Sequence, residues 1–143
     1  MDLYKGKNWN VIFVDWCQEF PGQCIISCQK ESLYQLTNED WIELGILEKE
    51  LERIMKKLFN ATMFNFACLM NNSYKDNVKP NVHFQFIPRY KNVETILNKK
   101  YKDKHFGYNM WKWALSKIKR QKDIFTQEER MKLFEIVKKE WNI

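Results

Sequence analysis

The chain has 143 residues, with 24 Lys and Arg against 18 Asp and Glu, a formal net charge of +6 and a pI near 9.1. With 45% hydrophobic and 15% aromatic residues it is excluded from the disordered class, and its length fits one domain with a real core. No apolar run approaches the roughly 20 residues needed to span a bilayer and no secretory signal precedes the first strand, so no membrane partner and a soluble, cytoplasmic protein are expected.

Residues 1–8 are polar and read as a frayed end. Residues 9–15 (WNVIFVD) read as a first strand and 16–22 as a turn punctuated by Pro21-Gly22. Residues 23–28 (QCIISC) form a second strand, close enough to the first for a hairpin, and 29–36 a loop. Thr37 is an N-cap with Glu39 and Asp40 in the following turn. It opens a long helix, expected to end near Asn60, in which Trp41, Leu44, Leu47, Leu51, Ile54 and Leu58 make one apolar stripe for the core. Residues 61–70 (ATMFNFACLM) are of strand length, and 71–80 form a loop rich in turn residues.

Residues 81–90 (NVHFQFIPRY) alternate as a half-buried strand does. Val82, Phe84 and Phe86 share one face. Asn81, His83 and Gln85 share the other, each about 6–7 Å from the next. Pro88 is expected to end the pairing or mark an edge. Beyond Tyr90 the chain is basic and irregular to about Lys104. Residues 110–118 allow one or two helical turns. Thr126 with Glu129 matches a capping box and opens a C-terminal helix carrying Leu133, Phe134, Val137 and Trp141. This order predicts a single α+β domain with an antiparallel sheet. The core lies at about 9–110, followed by a helical extension at about 111–143.

The four cysteines, Cys17, Cys24, Cys28 and Cys68, lack the spacing of a zinc site, and with only His83 and His105 available no metal centre is expected. Within the polar row His83 is the one side chain that changes charge near neutral pH, and it can serve as nucleophile, base or acid. Asn81 and Gln85 donate and accept without ionising. Arg89 and Lys30 can offset phosphate charge. Taken alone, a strand histidine is ordinarily a structural residue with its hydrogen bonds satisfied. The positive charge favours anionic ligands. Aromatic residues among lysines in the tail (Tyr101, Phe106, Trp111, Trp113) admit nucleic acid as a less favoured partner, against the plainer reading of core or dimer packing.

The stretch NVHFQFIPRY resembles the signature of the histidine triad family, His-φ-His-φ-His-φ-φ followed in many members by Pro-Arg. The preceding ACLMNNSYKDNVKPN and the later YKDKHFGYN are similar to segments of its bacterial diadenosine polyphosphate hydrolase-like branch. The resemblance covers about residues 9–110. It implies an antiparallel sheet of about five strands with one long helix and a C-terminal helix. It also implies a nucleotide phosphohydrolase or nucleotidyl transferase working through a nucleotidyl-histidine. By the resemblance His83 is the nucleophile, the backbone carbonyl of Asn81 holds its other ring nitrogen, and Gln85 donates to a phosphate oxygen but cannot protonate a leaving group. Asp15 falls at the ribose-binding position, and Asn71, Asn72, Ser73 and Arg89 near phosphates. Gln23 stands where many members have histidine, and Lys30 is offset by one from the family lysine. The implied ligand is a nucleotide or dinucleoside polyphosphate, with no required cofactor, a divalent cation being an option only as a companion of the substrate, and the implied assembly is a homodimer. With amides at three positions that are often histidine, a binder without turnover is the alternative.

Overall fold

The computed structural model describes residues 1–108 and 121–143. Five strands, β1 (Asp2–Lys5), β2 (Asn10–Phe13), β3 (Cys24–Ser27), β4 (Met63–Ala67) and β5 (His83–Arg89), form an antiparallel sheet in the order β1-β2-β3-β5-β4. A separate hairpin joins β6 (Glu94–Ile96) to β7 (Lys99–Tyr101). The helices are α1 (Asn38–Phe59), the short α2 (Asn71–Lys75) and α3 (Gln127–Glu140).

The expected alternation of β5 holds. Val82, Phe84 and Phe86 are buried, whereas His83 and Gln85 are half-buried on the opposite face. On the inner side Phe84 stacks on Phe66 (centroids 4.6 Å) and takes the edges of Trp9 and Trp41, while Phe86 stacks on Phe64. The α1 stripe, led by Leu44, Leu47, Leu51 and Ile54, completes this core. The C-terminal helix belongs to the same core: Leu133, Phe134 and Val137 are buried, and Phe134 meets Phe13 edge-on at 5.9 Å.

Both predicted helix starts are present as reciprocal caps. Thr37 accepts from the Asp40 N–H (3.3 Å) while Asp40 accepts from the Thr37 N–H (2.6 Å), and Thr126 and Glu129 repeat the arrangement. Asn60, in the left-handed conformation, ends α1.

Four local expectations are corrected. Residues 2–5 are a paired strand and not a frayed end, because β2 presents an edge that they fill. Residues 71–75 are helical where turn composition predicted loop. The basic stretch after Tyr90 contains the β6–β7 hairpin, whose turn uses left-handed Leu97 and Asn98 in place of glycine. Pro88 does not end the pairing, since β4 runs alongside through Arg89. Backbone groups of successive β5 residues point alternately to β3 and β4, and Pro88 points to the β3 side, where β3 has given way to a turn, so its missing N–H costs no ladder bond. The predicted turns at 110–118, with Trp111 and Trp113, lie outside the described residues.

The β2–β3 connection is fixed by buried polar bonds. The Gln18 side chain accepts from the Gly22 N–H (2.6 Å) and donates to the Val14 carbonyl (2.8 Å), and the Tyr90 hydroxyl donates to the Pro21 carbonyl. Gly22 has φ +85°, and a Cβ there would stand 2.2 Å from the Met55 sulfur, so both backbone and space require glycine.

The hydrogen bond from the Lys30 ammonium, aided by Thr37, holds the Asp40 carboxyl below the usual carboxylate range. Its folded value lies below its unfolded one, so its stabilisation is complete above the ordinary range near pH 4 and is lost as pH falls through the folded value. Asp40→Asn should therefore be less stable than the parent at pH 7, and the difference should narrow progressively as pH is lowered below about 4, as read from urea midpoints across that range.

Candidate functional site

Strand register assembles the site. Ser27 on β3 pairs with His83, and Asn10 on β2 pairs with Ser27, so three polar side chains cross the outer face in one row. In the next row Ile12 pairs with Ile25, Ile25 with Gln85, and Gln85 with Ala67 on β4. All of these are half-buried, on the side of the sheet away from the aromatic core.

The ring of His83 is held by its own strand. Its Nδ1 lies 2.9 Å from the Asn81 carbonyl oxygen. A carbonyl can only accept, so Nδ1 carries the proton, and in the neutral ring the Nε2 lone pair is left directed away from that bond. Among the described residues, Nε2, the Ser27 hydroxyl and the side-chain amides of Asn10 and Gln85 engage no protein partner. The Asn81 side chain itself is exposed. Cys68, just past β4, packs against the core side, where its thiol faces the His83 backbone N–H and burial pushes its ionisation up.

The Arg89 end of the face is committed. Arg89 is buried, and its guanidinium makes a two-point pair with Asp103 (2.7 and 3.0 Å) while also donating to Asn65 (2.9 Å) and the His105 carbonyl, with the Phe20 ring beneath it. All three of its nitrogens are engaged within the protein. The expectation that Arg89 meets a phosphate is thereby corrected: it is the counter-ion that anchors the 103–105 segment to β5. The two motif pieces quoted from the sequence, Pro-Arg and the later Asp, are partners in one buried pair. Gln23 is likewise occupied, donating to the Cys17 carbonyl (2.5 Å). Lys30 is spent on Asp40, and its carbonyl accepts from Val82 (2.7 Å).

Asp15 stands five residues beyond Asn10 on the same chain segment, at the other end of the sheet from His83. Its carbonyl accepts from Arg130 of α3 (2.8 Å), and its carboxylate lies 3.9 Å from the Met1 ammonium. Asn71, Asn72 and Ser73 open α2, to which β4 leads as it runs past Gln85 toward the His83 end. Ser73 is buried, and its carbonyl accepts from the Val78 N–H (3.1 Å). The structure thus brings Asn81, His83 and Gln85 together and leaves Asp15 and Arg89 apart from them. Sequence reasoning missed Ser27 and Asn10. The alternation in QCIISC carried a signal for Ser27, but its meeting with His83 depends on register between strands distant in sequence. A separate recess of about 480 Å³, lined by Lys100, Lys102, Lys104, His105 and Lys122, lies beyond the Arg89 end and not at His83.

No family model matches the sequence, and no curated protein matches it. Solved structures do. A histidine triad protein of Bradyrhizobium japonicum superposes with a TM-score of 0.66 at 12% identity, covering 99% of this chain and 90% of the other. A hypothetical histidine triad nucleotide-binding protein of Sulfolobus tokodaii gives 0.64 at 13% identity, covering 97% and 81%. The diadenosine triphosphate hydrolase of Plasmodium falciparum, solved with cyclomarin A, gives 0.60 at 19% identity, covering 96% and 74%. At these identities the likeness establishes the fold: the chain has the histidine triad fold, α+β with a five-stranded antiparallel sheet, as the sequence resemblance implied.

Removing the guanidinium while keeping much of its bulk tests the reassignment of Arg89. Arg89→Met strands the Asp103 carboxylate in the interior and should cost about 3–5 kcal/mol in urea unfolding. A loss under about 1 kcal/mol, together with weakened nucleotide binding, would return Arg89 to the ligand.

Proposed function

We propose that the protein is a nucleotide phosphohydrolase or nucleotidyl transferase in which His83 takes up a nucleotidyl group from a dinucleoside polyphosphate or nucleotide conjugate. The observation that carries this reading is the 2.9 Å contact from His83 Nδ1 to the Asn81 carbonyl, on a face whose neighbouring polar groups are unengaged.

In the first step Nε2 attacks the α-phosphorus. An N–P bond forms, the bond from phosphorus to the leaving group breaks, and its electron pair departs on that group. Gln85 is two residues from His83 on the same face, and its amide can donate to a phosphoryl oxygen as charge builds there. An amide has no proton to give at neutral pH, so the leaving group takes its proton from water. In the second step water or another acceptor attacks phosphorus and gives up its proton to solvent, the N–P bond breaks with its electron pair returning to Nε2, and the imidazole is restored. Asp15 is assigned to the ribose end of the ligand, and Asn71, Asn72 and Ser73 to its phosphates, on the strength of the sequence resemblance.

One observation favours a second reading, binding without turnover: the position that would protonate the leaving group holds an amide. The two readings separate by experiment. Incubation with diadenosine tetraphosphate or adenosine 5′-phosphoramidate should yield a nucleotidyl adduct on His83 by mass spectrometry, absent in His83→Ala. Thermal stabilisation by nucleotide in both proteins with no adduct and no product would identify a binder, and no stabilisation at all would reject a nucleotide site. Gln85→His should speed turnover by about 10²–10⁴, the usual worth of a general acid, with most of the gain for the poorer leaving group.

A further inference from the structure

We infer that Ser27 contacts the phosphoryl group that His83 attacks, donating its hydroxyl proton to a non-bridging oxygen, with Asn10 as the next polar group along the same row; the inference rests on the nucleotidyl-transfer reading above. Ser27 and His83 are direct cross-strand partners. Partners in an antiparallel ladder project from the same face with Cβ atoms about 4.5–5.5 Å apart. The alternation of β3 agrees, since Cys24 and Ile26 are buried in the core while Ile25 and Ser27 are half-buried outside. A group bonded to Nε2 would stand over the sheet within reach of this hydroxyl.

Ser27 is not needed to hold the imidazole, because Nδ1 is already fixed by the Asn81 carbonyl. Its hydroxyl has no partner among the described residues. A serine on a strand also has a local cost, because its hydroxyl competes for backbone groups and β-branched or aromatic residues pack better there. Its row-mate across the sheet is Asn10, also polar and also without a side-chain partner among the described residues. The row below changes character at once, to Ile12 and Ile25. The polar residues of β2 and β3 on this face are thus concentrated at the level of His83, whereas Gln23, in the turn just before β3, is tied to the Cys17 carbonyl.

The chemistry is that of charge stabilisation. Ser27 makes and breaks no covalent bond. As the N–P bond forms and the leaving group departs, charge shifts over the non-bridging oxygens, and a donor already positioned there stabilises the transition state more than the ground state. With Gln85 along the strand from His83 and Ser27 across from it, the neutral amide of the third triad position need not act alone.

Ser27→Thr and Ser27→Val test this as a matched pair. The two side chains are nearly equal in shape, both suit a strand, and only one has a hydroxyl. Adduct formation on His83 would be followed by rapid quench and mass spectrometry, with diadenosine tetraphosphate and adenosine 5′-phosphoramidate as probes. The threonine variant should stay within a few-fold of wild type, and the valine variant should be about 10² slower at saturation with KM little changed, the usual consequence of losing one such donor. Equal rates for the two variants would overturn the role of Ser27 while leaving His83 as nucleophile. A valine variant that raises KM alone would also overturn it, because that pattern marks uniform binding. If wild type forms no adduct with either probe, the nucleotidyl-transfer reading fails and this inference falls with it.

Discussion

The constraint from which the rest follows is the pleat of β5. Val82, Phe84 and Phe86 enter a stack of aromatic rings on one side, and that fixes His83 and Gln85 on the other. Burial of each inward side chain is worth about 1.5–3 kcal/mol. A slip of one residue would exchange the faces, forfeiting a sum comparable with the whole stability of a small domain, about 5–15 kcal/mol. The imidazole therefore needs no dedicated device to keep it outward. The core holds it there, and a single carbonyl in the preceding turn of chain sets its tautomer.

The outer face is divided in chemistry along its length. At the Arg89 end the polar side chains of β5 and its neighbours are engaged internally: Arg89 by Asp103, Asn65 and the His105 carbonyl, Gln23 by the Cys17 carbonyl, and Asp103 further by the backbone N–H groups of Tyr90 and His105. At the His83 end the Ser27 hydroxyl and the side-chain amides of Asn10 and Gln85 have no side-chain partner among the described residues. Rigid placement at one end and open valence at the other is what a preorganised site requires, since donors locked by the scaffold lose little freedom when a ligand arrives. The buried pair adds little net stability by itself. Its contribution is to fasten the chain leaving β7 onto the strand that carries His83.

Much of this was legible in the sequence, and the parts that were not share a cause. The caps at Thr37 and Thr126, the α1 stripe from Leu44 to Ile54 and the alternation of residues 81–87 are local patterns, set by neighbours within four residues, and they are present, whereas Trp41 at the head of the predicted stripe is exposed. The fold-level resemblance rested on such local strings and held. What could not be read depends on contacts between distant segments. Residues 2–5 become a strand because β2 offers an edge. Arg89 looks like a phosphate ligand until Asp103 arrives from fourteen residues away. Ser27 looks like filler in QCIISC until register sets it beside His83.

The incorporation of α3 into the core has a consequence for how the protein is made. Leu133, Phe134 and Val137 complete the packing around Phe13, and Arg53 bonds to Glu140 across 87 positions of sequence. Contacts this remote close late and slow folding. While the chain emerges from the ribosome, the inner side of β2 and one flank of α1 stay wet until the final turns of α3 have cleared the exit tunnel. That interval, rather than any weakness of the finished molecule, is when the nascent polypeptide is most exposed to proteases and to aggregation.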